Sequence, residues 1–230
     1  MHPRALDGRR RPAHGRGQDE LRARVSGASP EPKYVGRGGV KLRHALTEFA
    51  IDVTGLVCAD FGCSTGGFTD CLLQAGAARV IAIDTAYGQL AWTLRKDARV
   101  EVRERTNALH AEAPAGGVDV VVADLGWTPQ RLLVPQAMKW LRPGGRLITL
   151  IKPHYELKDR GGELPRKGVL EEARAEEITR ETVAMLAGMG YEVRGLTRSP
   201  VLGGANASGK GGGNAEWLGL IAREAASDVG

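Results

Sequence analysis

Short apolar runs, several closed by a charged residue, alternate along this chain with stretches in which apolar residues recur every three to four positions. Val80-Ile81-Ala82-Ile83 ends at Asp84, Val118 to Ala123 ends at Asp124, and Arg146 to Ile151 ends at Lys152. Such bounded runs predict strands, whereas Val40, Leu42, Ala45, Leu46 and Phe49 within residues 36–50 predict an amphipathic helix packed against the sheet edge. The remaining pattern predicts a strand from Val57, a helix over 66–75, strand 79–84, a helix near 88–95 and strand 99–103. After strand 118–123 come a helix to Leu141 with Pro129 in its first turn, a turn at 142–145, strand 146–151 and a basic loop over 157–169. A helix over 170–188, strand 191–197, a glycine-rich loop over 203–213 and strand 215–222 carrying Glu216 complete it. Seven strands, the last two joined without a helix, predict an α/β fold whose sheet is mostly parallel with one antiparallel strand.

The chain is organised around Val57 to Asp70, VCADFGCSTGGFTD. A strand ending in an acid, a loop of small residues and then a helix places the loop at the carboxyl edge of the sheet, where open parallel sheets bind ligands. Gly62, Gly66 and Gly67 let backbone approach a ligand, and Ser64 and Thr65 are expected to cap the helix that starts near Gly66. Neither GxxxxGK[ST] nor the GxGxxG spacing is present, which weighs against a nucleoside triphosphate and a dinucleotide. Asp60 before the loop and Asp84 at the end of the next strand suit an adenosine without phosphate, as in S-adenosylmethionine. Thr106 and Asn107, just past the third strand, lie where a loop reaches an adenine ring.

Charge adds a partner to this picture. The chain has 230 residues and a formal charge of +5, but its first 45 residues hold eleven Lys and Arg against four Asp and Glu, leaving the rest at −2. That asymmetry points to an anionic partner, nucleic acid before membrane, with a merely solubilising tail as the bland alternative. Residues 1–33 carry no hydrophobic period and are expected to form a disordered basic arm ahead of a domain over 34–224 and a tail over 225–230. Cys58, Cys63 and Cys71 are too few for a disulfide framework, and their spacing does not suit zinc, so no metal is expected. They read as small buried side chains in a reducing, cytoplasmic compartment, and no run of about eighteen apolar residues predicts a membrane span.

YVGRGGVKLRHAL, DFGCSTGGFTDCLLQAGA, YGQLAW, ERTN, LIKPHYE, KGV and GNAEWL, in that order from Tyr34 to about Ile221, resemble the FtsJ-like ribosomal RNA 2'-O-methyltransferases, most closely their TlyA-type, hemolysin-like branch. The resemblance implies the class I, Rossmann-like fold of S-adenosylmethionine-dependent methyltransferases. It also implies a Lys-Asp-Lys-Glu catalytic set at Lys41, Asp124, Lys152 and Glu216, and cofactor contacts from Asp60, Gly62, Ser64, Thr65, Gly66, Gly67, Asp84, Asn107 and Asp124. The implied partner is RNA, ribosomal RNA or a ribosomal subunit.

Two departures stand out. The branch usually begins with a small S4 RNA-binding domain, where this sequence has about 33 arginine-rich residues. It also tends to carry serine and phenylalanine after the aspartate, where this chain has Leu125-Gly126-Trp127-Thr128-Pro129. Trp127 would either stack on a splayed base or pack under the following helix.

The expected chemistry gives Lys152 the role of general base or of orienting the acceptor hydroxyl, with Asp124 and Glu216 as its partners and Lys41 as a positioner for ribose or phosphate. Carboxylate neighbours favour the ammonium, and a sulfonium favours the free amine, so both roles stay open. The competing readings are a methyltransferase acting on a non-RNA acceptor, a non-catalytic RNA-binding protein, and a membrane-lytic protein.

Overall fold

The computed structural model describes residues 34–204 and 213–223. The expected arm, the tail and most of the glycine-rich loop lie outside the described residues. The elements are α1 (Gly38–Glu48), β1 (Val57–Phe61), α2 (Gly67–Gln74), β2 (Arg79–Ile83), α3 (Trp92–Arg95), β3 (Val100–Arg103), β4 (Val118–Ala123), α4 (Gln130–Trp140), β5 (Leu141–Ile151), α5 (Pro153–Asp159), α6 (Glu172–Gly188), β6 (Tyr191–Arg198) and β7 (Trp217–Arg223).

One seven-stranded sheet runs in the order β3-β2-β1-β4-β5-β7-β6. The first five strands are mutually parallel, and β7 is antiparallel to both β5 and β6. This is the Rossmann-like sheet with one inserted antiparallel strand that the pattern predicts. From β1 the chain winds outward to β2 and β3, then returns to β4 on the other side of β1. The crevice at the carboxyl ends of β1 and β4 is therefore the topological switch point, where such sheets hold ligands.

Both faces of the sheet are covered, which explains why its central strands are continuously apolar. Alternation sends Cys58 to one face, with Leu42 and Leu46 of α1 and Phe68 and Leu72 of α2. It sends Ala59 and Phe61 to the other, with Leu133 and Trp140 of α4 and Leu186 of α6. Phe61 meets Trp140 edge to face at 5.1 Å, a pairing that adds about 1 kcal/mol to the burial of the two rings.

Several expectations change. The helix near 88–95 shrinks to the four residues of α3, because the preceding loop spends its backbone on other partners: Gly88 N–H donates to Glu104 and Ala91 N–H to the Thr65 carbonyl. The basic loop starts later than expected, since Pro153 opens α5 and fits the first helical turn, where its missing N–H costs nothing. Residues 142–145 form a bulge inside β5: Val118 pairs with Leu141 and Val120 with Arg146. Pro129 precedes α4 as its cap residue, and Glu216 stands one residue before β7.

Candidate active site

Asp60 carries the first charge at the switch point, and it is fully buried. Its Oδ2 accepts from the Thr69 hydroxyl at 2.6 Å, while its Oδ1 has no partner among the described residues. Burial, opposed by the Thr69 hydroxyl and reinforced by Asp124 and Asp84, pushes the carboxyl up to about 7. The loop beyond it is pinned at both sides. Gly62 and Cys63 N–H groups donate to the Ile83 carbonyl, and Ser64 N–H donates to Asp84 Oδ2 at 2.8 Å. Asp84 Oδ1 accepts from Ala86 N–H, so this acid stitches the β1 and β2 loops together. Each of its oxygens retains a second lone pair for a ribose hydroxyl.

Ser64 and Thr65 do not cap α2. Gly66, in the left-handed conformation, takes the cap position, and no side chain bonds to the helix end. Tight packing explains the small residues instead: a Cβ on Gly67 would lie 2.9 Å from the Gly39 nitrogen and 3.1 Å from the Gly38 Cα. The start of α1 thus lies backbone to backbone on the start of α2, and any side chain at Gly67 would part them.

That contact brings Lys41, in the first turn of α1, over the crevice. Its ammonium donates to Glu216 Oε2 at 2.5 Å, with both side chains almost out of solvent. Burial pushes the Glu216 carboxyl up; Lys41 and then Lys152 pull it down, and Asp124 pushes it up. Glu216 thus senses all three other charged groups. Asp124 follows β4, its N–H bonded to the Phe61 carbonyl, and its Oδ1 meets Lys152 Nζ at 2.5 Å. Lys152 also donates to the Leu125 carbonyl at 3.2 Å. The four residues of the expected catalytic set therefore form two crossed ion pairs, Lys41 with Glu216 and Lys152 with Asp124. The partnership expected between Lys152 and Glu216 is not a direct contact.

A buried polar knot fixes the loop between Asp124 and α4. Gln130 N–H donates to Glu156 Oε1, its side-chain amide donates to the Leu150 carbonyl, and its amide oxygen accepts from Thr149. In that loop Trp127 adopts φ +58°, costly for a bulky residue, and is 71% exposed. Its indole stacks on Tyr155 at 4.6 Å, with Lys158 over the ring at 5.0 Å. Packing under the helix, one of its two expected places, is thereby excluded. His154 was not singled out from sequence. Burial, then Lys152, Lys158 and Lys41, push its imidazole down to about 4, and its Nδ1 has no partner among the described residues.

A cleft of about 220 Å³ joins these parts, walled by Arg37 and Lys41, by the loop from Gly62 to Thr65, by Gly67 and Phe68, and by Asp124. Among the residues expected at a cofactor, Gly62, Ser64, Thr65, Gly67 and Asp124 line it, Asp60 and Gly66 lie against the loop, and Asp84 ties its flank. Asn107 is exposed beyond β3, its side-chain oxygen taken by Leu109 N–H, and it does not line the cleft. A larger cleft of about 370 Å³ opens at the opposite end of the sheet between Arg142, Arg194 and Arg223, away from all these groups.

The residues fit S-adenosylmethionine. Asp60 Oδ1 is a buried acceptor for which the described residues supply no donor. Gly62 at φ +84° gives a cradle that a Cβ would fill, 2.8 Å from the Asp124 carbonyl. Among the described residues no group of His, Cys, Asp and Glu is arranged to hold a metal, and no helix is long and apolar enough to cross a membrane.

Residues 34–208 match the family model described as FtsJ-like methyltransferase. A candidate rRNA methyltransferase of Bacillus subtilis, YqxC, is 39% identical over 176 residues, which cover 75% of this chain and 62% of that protein. The 16S/23S rRNA (cytidine-2'-O)-methyltransferase TlyA of Mycobacterium tuberculosis is 42% identical over 176 residues, covering 75% of this chain and 65% of its own length. The chain therefore spans less than two thirds of these curated relatives. A solved structure described as a candidate hemolysin from Streptococcus thermophilus superimposes with a TM-score of 0.75 at 33% identity, over 88% of this chain and 72% of that one.

Proposed function

We propose that this chain, which belongs to the FtsJ-like methyltransferase family, transfers a methyl group from S-adenosylmethionine to a ribose 2'-hydroxyl of ribosomal RNA. The observation that carries the reading is the Lys152–Asp124 contact at the carboxyl edge of β4 and β5, beside the second pair, Lys41 and Glu216. Both curated relatives are named for rRNA methylation, and one for a 2'-hydroxyl acceptor.

When bound, S-adenosylmethionine supplies a methyl group already activated on a sulfonium. The work left to the protein is to place an oxygen in line with it and to accept the proton. Lys152 Nζ gives one N–H to Asp124 and one to the Leu125 carbonyl, and its third N–H is free to hold the acceptor oxygen. That assignment makes Lys152 the orienting group and Asp124 the nearest acceptor for the departing proton. Lys41, anchored by Glu216, places positive charge where the ribose or its phosphate docks. Trp127, 71% exposed with its indole against Tyr155 and Lys158 over the ring, offers exposed ring surface to the base beside the acceptor ribose.

The test is transfer of labelled methyl from S-adenosylmethionine to ribosomal subunits and to total RNA, followed by nuclease digestion to locate the label. Label on ribose supports the proposal. Label on a base or on protein, or cofactor binding with no RNA labelled, contradicts it.

A further inference from the structure

Arg37 is the side chain in Gly36-Arg37-Gly38-Gly39, the segment that lies backbone to backbone on the start of α2. The close approach of Gly38 and Gly39 to Gly67 fixes where the intervening chain runs and delivers Arg37 to the wall of the 220 Å³ cleft. Lys41, on the same wall, is committed to Glu216, and Lys152 to Asp124. Arg37 is exposed, and its guanidinium makes no ion pair or hydrogen bond among the described residues. The cleft, lined by Asp124 and with Asp60 and Asp84 beside its loop, thus has in Arg37 a lining cation uncommitted among the described residues, on a wall shared with Gly67 and Phe68 of α2.

We infer that Arg37 binds the α-carboxylate at the amino-acid end of S-adenosylmethionine, an inference that rests on the cofactor reading above. A sulfonium carries three substituents, and the crevice offers three directions. Asp84 on the β2 side suits the ribose of the adenosyl group, and the Lys152–Asp124 pair on the β4 and β5 side marks the methyl's destination. The third substituent is left the wall where α1 meets α2, and its carboxylate is the one anionic group of the cofactor. A planar guanidinium takes a carboxylate through two parallel N–H donors, which fixes orientation as well as charge.

Isothermal titration calorimetry tests this with two ligands, S-adenosylhomocysteine and 5'-methylthioadenosine. Both contain the adenosine and a thioether, and the second lacks the amino-acid end. Arg37→Ala is expected to weaken S-adenosylhomocysteine about tenfold or more and to leave 5'-methylthioadenosine unchanged. Arg37→Lys, which keeps the charge without the fork, is expected to fall between. Equal affinity of wild type and Arg37→Ala for S-adenosylhomocysteine overturns the inference, and so does an equal loss for both ligands. Retained S-adenosylhomocysteine affinity with weakened RNA binding also overturns it and assigns Arg37 to a phosphate. Wild-type protein that binds neither ligand removes the cofactor reading itself, a different result from failure at Arg37 alone.

Discussion

Lys41 and Glu216, 175 residues apart in the chain, meet at 2.5 Å with side-chain exposures of 10% and 3%. The contact ties α1 to the residue that leads into β7. Removing one partner leaves the other charge buried, which costs about 3–5 kcal/mol. Glu216→Ala is expected to lower the unfolding free energy in urea by that order, and Lys41→Met with Glu216→Leu together by less than either single change suggests. Additive losses in the double variant would show that the two charges do not act as a pair.

Trp127 sits in the left-handed region, which a bulky residue rarely adopts, with its indole against Tyr155. Trp127→Gly relieves backbone strain of about 1–3 kcal/mol, so thermal stability is expected to hold or rise. Loss of the stacking face is expected to raise KM for RNA about tenfold or more, with S-adenosylhomocysteine affinity unchanged. Trp127→Phe is expected to recover most of the affinity. A glycine variant with normal KM for RNA would remove the stacking role.

Asp60, pushed up to about 7 from an unfolded value near 3.8, binds a proton more tightly in the folded chain. Its contribution to stability is present below about pH 4 and is lost as pH rises through 7. His154 works in the opposite sense: pushed down to about 4, it lets stability rise with pH between 4 and 6.5. Above pH 6.5 the Asp60 effect stands alone of the two, so Asp60→Asn is expected to flatten the decline in unfolding midpoint between pH 6.5 and 8. An identical decline in the variant would contradict it.

The three cysteines are buried and free, and burial pushes the Cys58 and Cys71 thiols up to about 12 and Cys63 upward as well. Nucleophilic thiolate is scarce at each. Iodoacetamide at pH 8 is expected to label them only at the rate of unfolding, with full labelling in urea. Fast labelling of Cys63 in folded protein would show that the cleft opens to solvent.

Strand register decided what was legible in the sequence. Asp124 and Lys152 end adjacent parallel strands, so a reader who finds both runs can place them side by side. The acids at Asp60 and Asp84 were legible for the same reason. The pairing of Lys41 with Glu216 was not legible, because the two lie 175 residues apart and nothing local announces it. The small residues of the STGG loop suggested capping, which no side chain supplies, and Gly67, besides lining the cleft, is a packing site against Gly38 and Gly39. Arg37 was passed over because an arginine between glycines carries no periodicity, and its place follows only from that packing. The knot of Gln130, Thr149 and Glu156 was not legible because no spacing rule connects the hydrogen bonds of these three residues.

Single-turnover transfer of labelled methyl to ribosomal RNA by Lys152→Ala, with S-adenosylhomocysteine affinity measured on the same preparation, tests the proposed chemistry most directly. The Lys152–Asp124 account predicts transfer slowed by about a hundredfold or more at unchanged S-adenosylhomocysteine affinity, because the ammonium holds the acceptor oxygen and not the cofactor. Transfer by the alanine variant at the wild-type rate would contradict it.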